Sequence, residues 1–426
     1  RGPMGIRRDG LLARRAMLQG GLAGFAGLMG RGLMGCSTSS GDAPAAQTPT
    51  LPPGGDEFAF VPMTRPKLVS RIAEIGPLGA PDALGVRVAA GFTARVVAET
   101  GKAPVPGKPY VWHTAPDGGA TFPAPDGGWI YVSNSEVPFV GGVGALRFDA
   151  SGALVDAYRI LDKTQANCAG GPSPWGTWLS CEEIPKGVVH ECDPRGERPA
   201  VVRPALGTFR HEAVAFDPVR HHVYLTEDEP DGALYRFTPL GLNKHGFANL
   251  AEGALEVAVV ATDGAVSWKR VPEPSFTGDV ATRAQVPDAT KFDGGEGIWW
   301  HEGVLYFTTK GDNRVWALDT AAQRMSTLYD AAKQTDAVLT GVDNVTVSCC
   351  GDVLVAEDGG DMQVVAILPS GQAKALLQVT GHDKSEITGP AFDPSGTRLY
   401  FSSQRGVGNN GVGITYEVSG PFHAPG

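Results

Sequence analysis

The chain has 426 residues, of which 58 are glycine and 33 are proline, and its formal net charge is −10 at pH 7. Its length allows a large buried core, and the many glycines and prolines favour short strands and turns over helices. The acidic charge argues against nucleic-acid binding, which needs a basic face, and favours divalent cations as ligands.

Residues 1–36 are predicted to be an export signal. Arg14-Arg15 precedes an apolar run at residues 20–29, which is the arrangement of a twin-arginine signal. The run is too short and too rich in glycine for a permanent membrane span. Six arginines and one aspartate lie in this segment, so its removal would change the formal charge from −10 to −15. We therefore expect a periplasmic or cell-surface protein.

The segment after the signal is predicted to be a linker. Residues 37–66 are rich in Ser, Thr, Ala and Pro and show little periodicity, which is typical of a tether. Leu33-Met34-Gly35-Cys36 resembles a lipoprotein cleavage box. Two alternatives stay open here: a lipid on Cys36 that anchors the protein to a membrane, and plain cleavage near Gly35.

A repeated unit begins at about Lys67 and continues to the C-terminus. Each unit has two short apolar strands, a Gly, Pro or Asp turn between them, and a polar or acidic cluster at the end. The six copies lie at residues 120–136, 175–183, 211–229, 296–310, 343–358 and 389–404. Repeats of roughly 40–50 residues with about four strands each are typical of propeller blades. The sequence therefore predicts one all-β domain over residues 67–426, a six-bladed β-propeller with an insertion at about 239–289.

Polar side chains open the first strand of several units. They are Glu212 (which follows His211), Glu296, Asp343 and Asn344. Glu357 lies instead at the end of a second strand. In a propeller the innermost strands line a central channel, so residues at equivalent positions converge near the axis. Converging carboxylates repel one another unless protons or cations neutralise them, which predicts a metal site. Taken singly, each acid could instead be a solvent-facing residue at a strand end.

The segment from Asn167 to Glu183 adds a thiol to this set. Cys168 lies on a Gly-Gly-Pro sequence, which we predict to be the loop entering a blade, and an aromatic strand from Trp175 ends in two glutamates. Thiolate and carboxylate together are suitable ligands for a transition metal. The alternative is a buried cysteine on a tight turn.

Five cysteines lie outside the export signal, an odd number for an exported protein. Cys181 and Cys192 are equidistant from Lys186-Gly187 and would face each other across a hairpin centred there, so we predict a disulfide between them. Cys349-Cys350 is predicted to be either a vicinal disulfide or two thiols. Cys168 is left without an evident partner, which supports its assignment as a ligand.

Many segments resemble, in the same order, the PhoX-type bacterial phosphatase superfamily from about Pro81 to the C-terminus. The matching segments are 110–123, 167–183, 209–213, 226–232, 296–297, 343–344, 357–359 and 389–390. The resemblance implies a six-bladed propeller, twin-arginine export, and a site of iron and calcium ions that acts on phosphate esters. It implies that Cys168 binds iron and that Glu212 and Glu296 are metal-binding, catalytic glutamates.

The chain departs from that family at one position. Where the phosphatases carry Arg-Pro-Glu, this chain has Gly294-Gly295-Glu296, so the arginine expected to hold the phosphate is absent. A guanidinium is a principal means of holding a phosphoryl group. Arg210, beside His211-Glu212, is our first choice as a substitute, with Lys310 and Arg314 as alternatives.

The sequence thus predicts an exported, monomeric, metal-dependent hydrolase of a small-molecule phosphoester. Its predicted ligands are Cys168, Glu212, Glu296, Asp343, Asn344 and Glu357. Two alternatives are a calcium-dependent lactonase-type hydrolase, which would not need the thiol, and a non-catalytic propeller scaffold that binds metal.

Overall fold

Six β-sheets surround a common channel in the structure, a computed structural model that describes residues 67–276 and 278–426. The described residues all belong to one compact unit, and they contain 28 strands and five single-turn 3-10 helices but no α-helix. The six-bladed propeller predicted from the repeats is confirmed. The predicted export signal and linker lie outside the described residues.

The strands follow one another in blade order. Three of them precede the first complete blade: β1 (Leu68–Ser70), β2 (Val86–Val88) and β3 (Thr93–Glu99). Blade 1 contains β4 (Pro116–Pro123), β5 (Trp129–Ser135), β6 (Gly141–Phe148) and β7 (Leu154–Thr164). Blade 2 contains β8 (Asn167–Pro172), β9 (Trp178–Glu182), β10 (Val189–Cys192) and β11 (Val201–Val202). Blade 3 contains β12 (His211–Asp217), β13 (His222–Glu227), β14 (Leu234–Pro239), β15 (Gly253–Val260) and β16 (Val266–Arg270).

The remaining blades have the same antiparallel order. Blade 4 contains β17 (Gly295–His301), β18 (Val304–Thr309), β19 (Arg314–Asp319) and β20 (Arg324–Asp330). Blade 5 contains β21 (Val342–Val347), β22 (Val353–Glu357), β23 (Gln363–Ile367) and β24 (Ala373–Val379). Blade 6 contains β25 (Ile387–Phe392), β26 (Arg398–Ser403) and β27 (Ile414–Ser419), and β28 (His423–Pro425) follows it. The 3-10 helices are Ile72–Glu74, Pro204–Leu206, Thr282–Ala284, Ala331–Lys333 and Val407–Asn409.

The N-terminal strands close the ring. β3 pairs with β27 and supplies the fourth strand of blade 6, β2 pairs with β24 at the outer edge of blade 5, and β1 pairs with β28. The N-terminal strands thereby complete blade 6 and cover the outer edge of blade 5, so that fewer strand edges are left unpaired. The repeats alone did not predict this closure.

The core is divided into six apolar clusters, each lying between two successive blades. The cluster between blades 4 and 5, for example, contains Val315, Val342 and Val355, all fully buried. Burying one such side chain contributes about 1.5–3 kcal/mol. Since every blade packs on both neighbours through these clusters, the relative positions of the innermost strands are fixed by the whole ring.

The predicted insertion after β14 forms part of blade 3. Its residues supply β15 and β16, so this blade has five strands. In the described parts of the chain, no helix has both the length and the apolar character needed to cross a membrane.

The predicted disulfide between Cys181 and Cys192 is wrong. In the β9–β10 hairpin Cys181 pairs with Val189 and Cys192 pairs with Trp178, and all five described cysteines are free thiols. The turn runs from Ile184 to Gly187, whose N–H donates to the Ile184 carbonyl. Pro185 therefore takes the second position of the turn, which its fixed φ favours. The hairpin is centred at Pro185 instead of at Lys186-Gly187.

Candidate metal centre

A bulge interrupts each innermost strand at the same place, near its start. The pairing with the second strand shifts between Pro116 and Gly119 in β4, and at the corresponding positions of β8, β12, β17, β21 and β25. A bulge re-aims the side chains that it carries. The first bulged residue of each blade belongs to a set that we term the first ring: Asp117, Cys168, Glu212, Glu296, Asp343 and Gly389.

A second set lies directly after the second strand of each blade. We term it the second ring: Glu136, Glu183, Asp228, Lys310, Asp358 and Gln404. Four of its members are carboxylates. Glu136, Glu183 and Asp358 lie close to ligand atoms of the first ring, and Asp228 pairs with Lys310. The two rings occupy one end of the channel, which we term the acidic end.

Cys168 lies on strand β8, which corrects the prediction that its Gly-Gly-Pro sequence is a loop. Gly170 and Gly171 allow neighbouring strands to approach closely and do not make this segment a flexible loop. A Cβ on Gly170 would lie 1.9 Å from the Leu179 carbonyl oxygen, and one on Gly171 would lie 1.8 Å from the Val214 carbonyl oxygen. Only glycine fits at such positions in a strand.

The thiol of Cys168 meets carboxylates of both neighbouring blades. Its Sγ lies 3.3 Å from Glu212 Oε1 and 3.8 Å from Asp117 Oδ2. Asn134 of blade 1 donates from Nδ2 to the backbone oxygens of Cys168 and Ala169, at 3.1 and 2.7 Å. The bulge that carries the thiol is therefore held in place by the preceding blade.

Potential ligand atoms lie within 4.8 Å of one another in four groups around the rings. The groups are Asp117, Glu136 and Cys168; Cys168, Glu183 and Glu212; Glu212, Glu296 and Asp343; and Asp343, Asp358 and Glu386. The structure thus brings together four of the six predicted ligands, Cys168, Glu212, Glu296 and Asp343. Each group shares a residue with the next, so the set is continuous from Asp117 in blade 1 to Glu386 at the start of blade 6.

The carboxyl groups of the first ring are deeply buried and close to like charges. Burial, together with the neighbouring carboxylates, raises the pKa of Asp117, Glu212 and Glu296 well above the usual range. Burial likewise raises the pKa of Asp343 to about 7. Glu212 Oε2 is buried and has no hydrogen-bond partner. Such an arrangement is costly without a cation, so these residues fit a metal site.

Lys310 is a cation of the second ring that contacts these acids. Its Nζ contacts Glu296 Oε1 and lies 3.1 Å from Asp228 Oδ2. Burial alone would lower the pKa of Lys310, but Asp228 and Glu296 outweigh it and raise that pKa. The side chain is 24% exposed. It therefore presents a permanent positive charge at the surface of the acidic end.

Gly294 adjoins Lys310 directly. Its φ is +70°, and a Cβ there would lie 3.1 Å from Lys310 Cγ and 3.3 Å from Asp228 Oδ1. The Gly294 carbonyl also accepts from the Lys310 N–H at 2.9 Å. The Lys310 side chain thus fills the space beside the position where the resemblance predicts an arginine.

Arg210, the predicted substrate-binding residue, is engaged by two glutamates. Its Nη1 lies 2.8 Å from Glu183 Oε1, and its Nε lies 3.1 Å from Glu229 Oε1. It borders the second ring through Glu183 and does not contact the first ring in these ion pairs.

Two predicted ligands, Glu357 and Asn344, do not belong to these groups. The Glu357 carboxylate accepts from the backbone N–H groups of Thr340 and Gln363, at 2.9 and 3.0 Å. Successive residues at a strand end point to opposite sides, so the adjacent Asp358 takes the place predicted for Glu357. Asn344 donates to Asp343 Oδ1 at 2.7 Å and accepts from Gly389 N–H at 2.8 Å, so it orients Asp343 and joins blades 5 and 6.

Sequence reasoning missed several members of the site. They are Asp117, Glu136, Glu183, Asp228, Asp358, Glu386 and Arg405. Arg405 Nη2 lies 3.0 Å from Glu386 Oε1, so a second cation is placed beside the acids of blades 5 and 6. For Glu136, Glu183, Asp228 and Asp358 a signal was present, because every repeat has a polar residue directly after its second strand.

The fold and this centre define a six-bladed β-propeller with a ring of buried carboxylates and one thiol at its axis. Residues 153–327 match the sequence model of the family described as Alkaline phosphatase PhoX. The resemblance to this family is therefore confirmed over less than half of the chain. The matched part contains Cys168, Arg210, Glu212 and Glu296.

No curated protein matches the chain. Among solved structures, a structural genomics protein of unknown function from Bacteroides thetaiotaomicron has 8% identity and a TM-score of 0.47, over 77% of this chain and 76% of that one. A chain of a nidogen/laminin complex has 14% identity and a TM-score of 0.42, over 71% and 98%. The calcium-binding protein regucalcin from Agrobacterium tumefaciens has 15% identity and a TM-score of 0.41, over 74% and 92%.

Proposed function

We propose that the protein is an exported, metal-dependent phosphoester hydrolase whose reaction takes place at the acidic end of the channel. The observation that carries this proposal is the contact between the Cys168 thiol and Glu212, within the segment that matches the phosphatase family. A thiol with two neighbouring carboxylates is a suitable ligand set for a transition metal, and iron is the ion that the resemblance implies.

Different groups of the centre suit different ions. Two groups contain the thiol and suit iron. One consists of Asp117, Glu136 and Cys168, and the other of Cys168, Glu183 and Glu212. The oxygen-only group of Glu212, Glu296 and Asp343 suits calcium, which takes oxygen ligands alone. When bound, such ions supply Lewis-acid polarisation of a phosphoryl group and activation of water.

The residues of the chain would bind and orient the substrate. The contacts favour Lys310 over Arg210 as the group that holds the phosphate, because Lys310 contacts Glu296 of the first ring whereas Arg210 is held between Glu183 and Glu229. An ammonium group binds phosphate as a point charge. The high pKa values of Glu212 and Glu296 also suit them to hold a proton at the site when no cation neutralises them.

Hydrolysis of a generic aryl phosphate by the metal-loaded protein tests this proposal. Glu296→Gln keeps the size of the side chain but removes a charged ligand, so we expect activity to fall to background. Glu302→Gln is the matched control, since Glu302 is exposed at the other end of the channel. Equal activity in the two variants would contradict a reaction at the acidic end.

One observation favours a second candidate. The group of Asp343, Asp358 and Glu386 contains oxygen ligands only and does not include Cys168, which suits a calcium-dependent lactonase-type hydrolase or a calcium-binding scaffold. A lactonase would retain its activity in Cys168→Ala, and a scaffold would bind calcium without hydrolysing either an aryl phosphate or a lactone.

We also propose that the protein reaches the periplasm or cell surface by the twin-arginine route and acts there as a monomer on small phosphoesters. The paired Arg14-Arg15 and the acidic charge support this. Replacing both arginines by lysine should keep the protein in the cytoplasm, as cell fractionation would show. Labelling with a radioactive fatty acid would distinguish lipid attachment at Cys36 from plain cleavage near Gly35.

A further inference from the structure

A second cluster of potential metal ligands lies at the other end of the channel. It consists of Cys349, Cys350 and His423, whose ligand atoms all lie within 4.8 Å of one another. The two cysteines lie in the turn between β21 and β22. Asp343 of the acidic end lies near the start of β21, and the turn follows the other end of that strand. His423 comes from the C-terminal strand β28. This cluster shares no residue with the acidic end.

The two thiols are spaced as a bound metal would hold them. Cys349 Sγ and Cys350 Sγ are 3.8 Å apart, and both cysteines are free. Two sulfurs bound to one tetrahedral zinc at about 2.3 Å from it are separated by about 3.8 Å. A disulfide would require about 2.05 Å. The turn therefore holds the sulfurs at the separation of a metal-bound pair.

The imidazole of His423 is oriented in the manner of a metal ligand. Its Nδ1 lies 2.7 Å from the Gly396 carbonyl oxygen, which can only accept, so Nδ1 carries a proton. In the neutral ring this leaves Nε2 with a lone pair, although Nε2 faces Asp352 Oδ2 at 3.2 Å. Metal-binding histidines commonly donate their other N–H to a carbonyl in this way. When the ring carries a second proton, Nε2–H donates to Asp352 Oδ2 in an ion pair, and a metal ion bound at Nε2 would take the place of that proton.

A route from solvent leads to this cluster. Cys349 and His423 line a cavity of about 490 Å³. The cavity is also lined by the later residues of all six innermost strands, including Phe216, Trp299, Trp300 and Phe392. We term this region the apolar end of the channel. Both thiols are half-buried, so they are shielded yet accessible to a small ion.

We propose that Cys349, Cys350 and His423 form a second metal site, separate from the acidic end, that binds zinc or a chemically similar thiolate-preferring ion. Two thiolates and one imidazole favour such an ion over calcium. On binding, both thiols lose their protons to solvent and no electron is transferred. Because His423 belongs to β28, the ion would join the β21–β22 turn to that strand. The Cys350 thiol would give up the hydrogen bond that it now donates to the Leu68 carbonyl oxygen at 3.2 Å.

Cobalt titration in a Cys168→Ala background tests this proposal without the thiol of the acidic end. We expect one equivalent of Co²⁺ to give a thiolate-to-cobalt charge-transfer band that Zn²⁺ removes. Adding Cys349→Ser or Cys350→Ser should abolish the band. Adding His423→Gln should weaken Co²⁺ binding by more than the roughly tenfold to 100-fold that loss of a ligand's hydrogen-bond partner causes, because a ligand itself is lost. Adding Cys181→Ala, a fully buried thiol elsewhere, should leave the band unchanged.

Two results would overturn the proposal. The first is a Cys168→Ala protein, folded by its tryptophan fluorescence, that shows no charge-transfer band or keeps it in the Cys349→Ser and Cys350→Ser variants. The second is a Cys349–Cys350 disulfide, found by mass spectrometry in protein recovered from its exported location. If the serine variants do not fold, the Cys168→Ala protein with and without His423→Gln decides the question. Zn²⁺ should raise the melting temperature more in the protein that keeps His423, and equal increases would overturn the proposal. Aryl phosphate hydrolysis, measured separately, is not expected to depend on this site.

Discussion

The two ends of the channel are built from the same six strands but have opposite chemistry. At the acidic end, the bulged starts of these strands bring together Asp117, Cys168, Glu212, Glu296 and Asp343. At the apolar end, the regular continuations of the same strands present Phe216, Trp299 and Phe392 to a cavity. The two ends differ by one bulge per blade. Repeated around the ring, these bulges accompany a polar centre in an otherwise apolar core.

The bulges also explain why the acidic end can be so highly charged. A regular strand would alternate its side chains between its two faces, and each polar residue would then be followed by one that points into the blade. The bulge breaks that alternation locally. Hydrogen bonds from the preceding blade, such as those of Asn134 and of Thr226 to the Glu296 carbonyl, keep the bulges in place. The carboxylates are therefore held together by the fold in spite of their mutual repulsion.

The largest effect is expected from removing the thiol of the acidic end. Cys168→Ala should lower the rate of aryl phosphate hydrolysis by about 10²-fold or more, because a metal ligand of the reaction site is lost. Cys192→Ala is the matched control, since Cys192 is a fully buried thiol between blades 1 and 2. Similar kcat values for both variants would show that the two thiols are equivalent and that Cys168 has no special role.

Removing the positive charge of the acidic end should have the next largest effect. Lys310→Gln should raise the KM for an aryl phosphate and lower kcat/KM by about 10²-fold, because a charge-assisted contact to the phosphoryl group is lost. Lys291→Gln controls for charge, since Lys291 is 69% exposed and pairs only loosely with Asp231. If Lys310→Gln changed neither parameter while Arg210→Gln did, the phosphate would be held by Arg210.

The structure also revises the effect expected of an arginine at Gly294. From the sequence alone, Gly294→Arg should raise phosphatase activity. The φ of +70° and the contact of a new Cβ with Lys310 make this single change strained. We therefore expect the single variant to gain no activity, and adding Lys310→Ala to remove the contact with Lys310 but not the strain of a side chain at positive φ. A gain from the single variant would show that Lys310 moves aside easily.

A smaller effect concerns the pH dependence of stability in metal-free protein. Folding raises the pKa of Asp343 from 3.8 to about 7, so the folded state binds this proton more tightly than the unfolded state does. The resulting stabilisation is present below about pH 4 and is lost as the pH rises through about 7. The melting temperature of metal-free protein should therefore fall between about pH 5 and about pH 8, as differential scanning calorimetry would show.

Added metal should reverse that trend, because metal binding requires deprotonated ligands. The increase in melting temperature on adding iron and calcium should be larger at the higher pH. Asp343→Asn should reduce the pH dependence of the metal-free protein. A metal-free protein that became more stable with rising pH would contradict the account of the buried carboxylates.

Much of the fold could be predicted from the sequence, because each blade repeats a local pattern of strand, turn, strand and polar cluster. Cys168, Glu212, Glu296 and Asp343 could be singled out because equivalent blade positions converge by geometry, and the structure places them in adjoining groups of potential ligand atoms. That they bind metal stays a prediction. The bulges could not be predicted, because they depend on contacts between blades. For that reason the sequence predicts a loop at Cys168, where the structure has a strand, and does not single out Asp358, which shares a ligand group with Asp343 and Glu386.

The smallest effect is expected from Glu357 itself. Its carboxylate accepts two backbone hydrogen bonds and faces away from the rings. Glu357→Gln should therefore lower the free energy of unfolding by about 1 kcal/mol, the net value of one hydrogen bond, and leave metal content unchanged. Asp358→Asn is the informative neighbour, because Asp358 shares a ligand group with Asp343 and Glu386. A loss of metal in Glu357→Gln would restore the original assignment.

Metal analysis of purified, folded protein decides whether the rings of the acidic end bind metal through Cys168 and Glu212. Inductively coupled plasma mass spectrometry should find iron and calcium in the wild type, and iron should be lost in both Cys168→Ala and Glu212→Gln while Glu302→Gln retains it. Wild-type protein that is folded and active yet free of iron and calcium, or a Cys168→Ala variant with the full iron content, would contradict the claim.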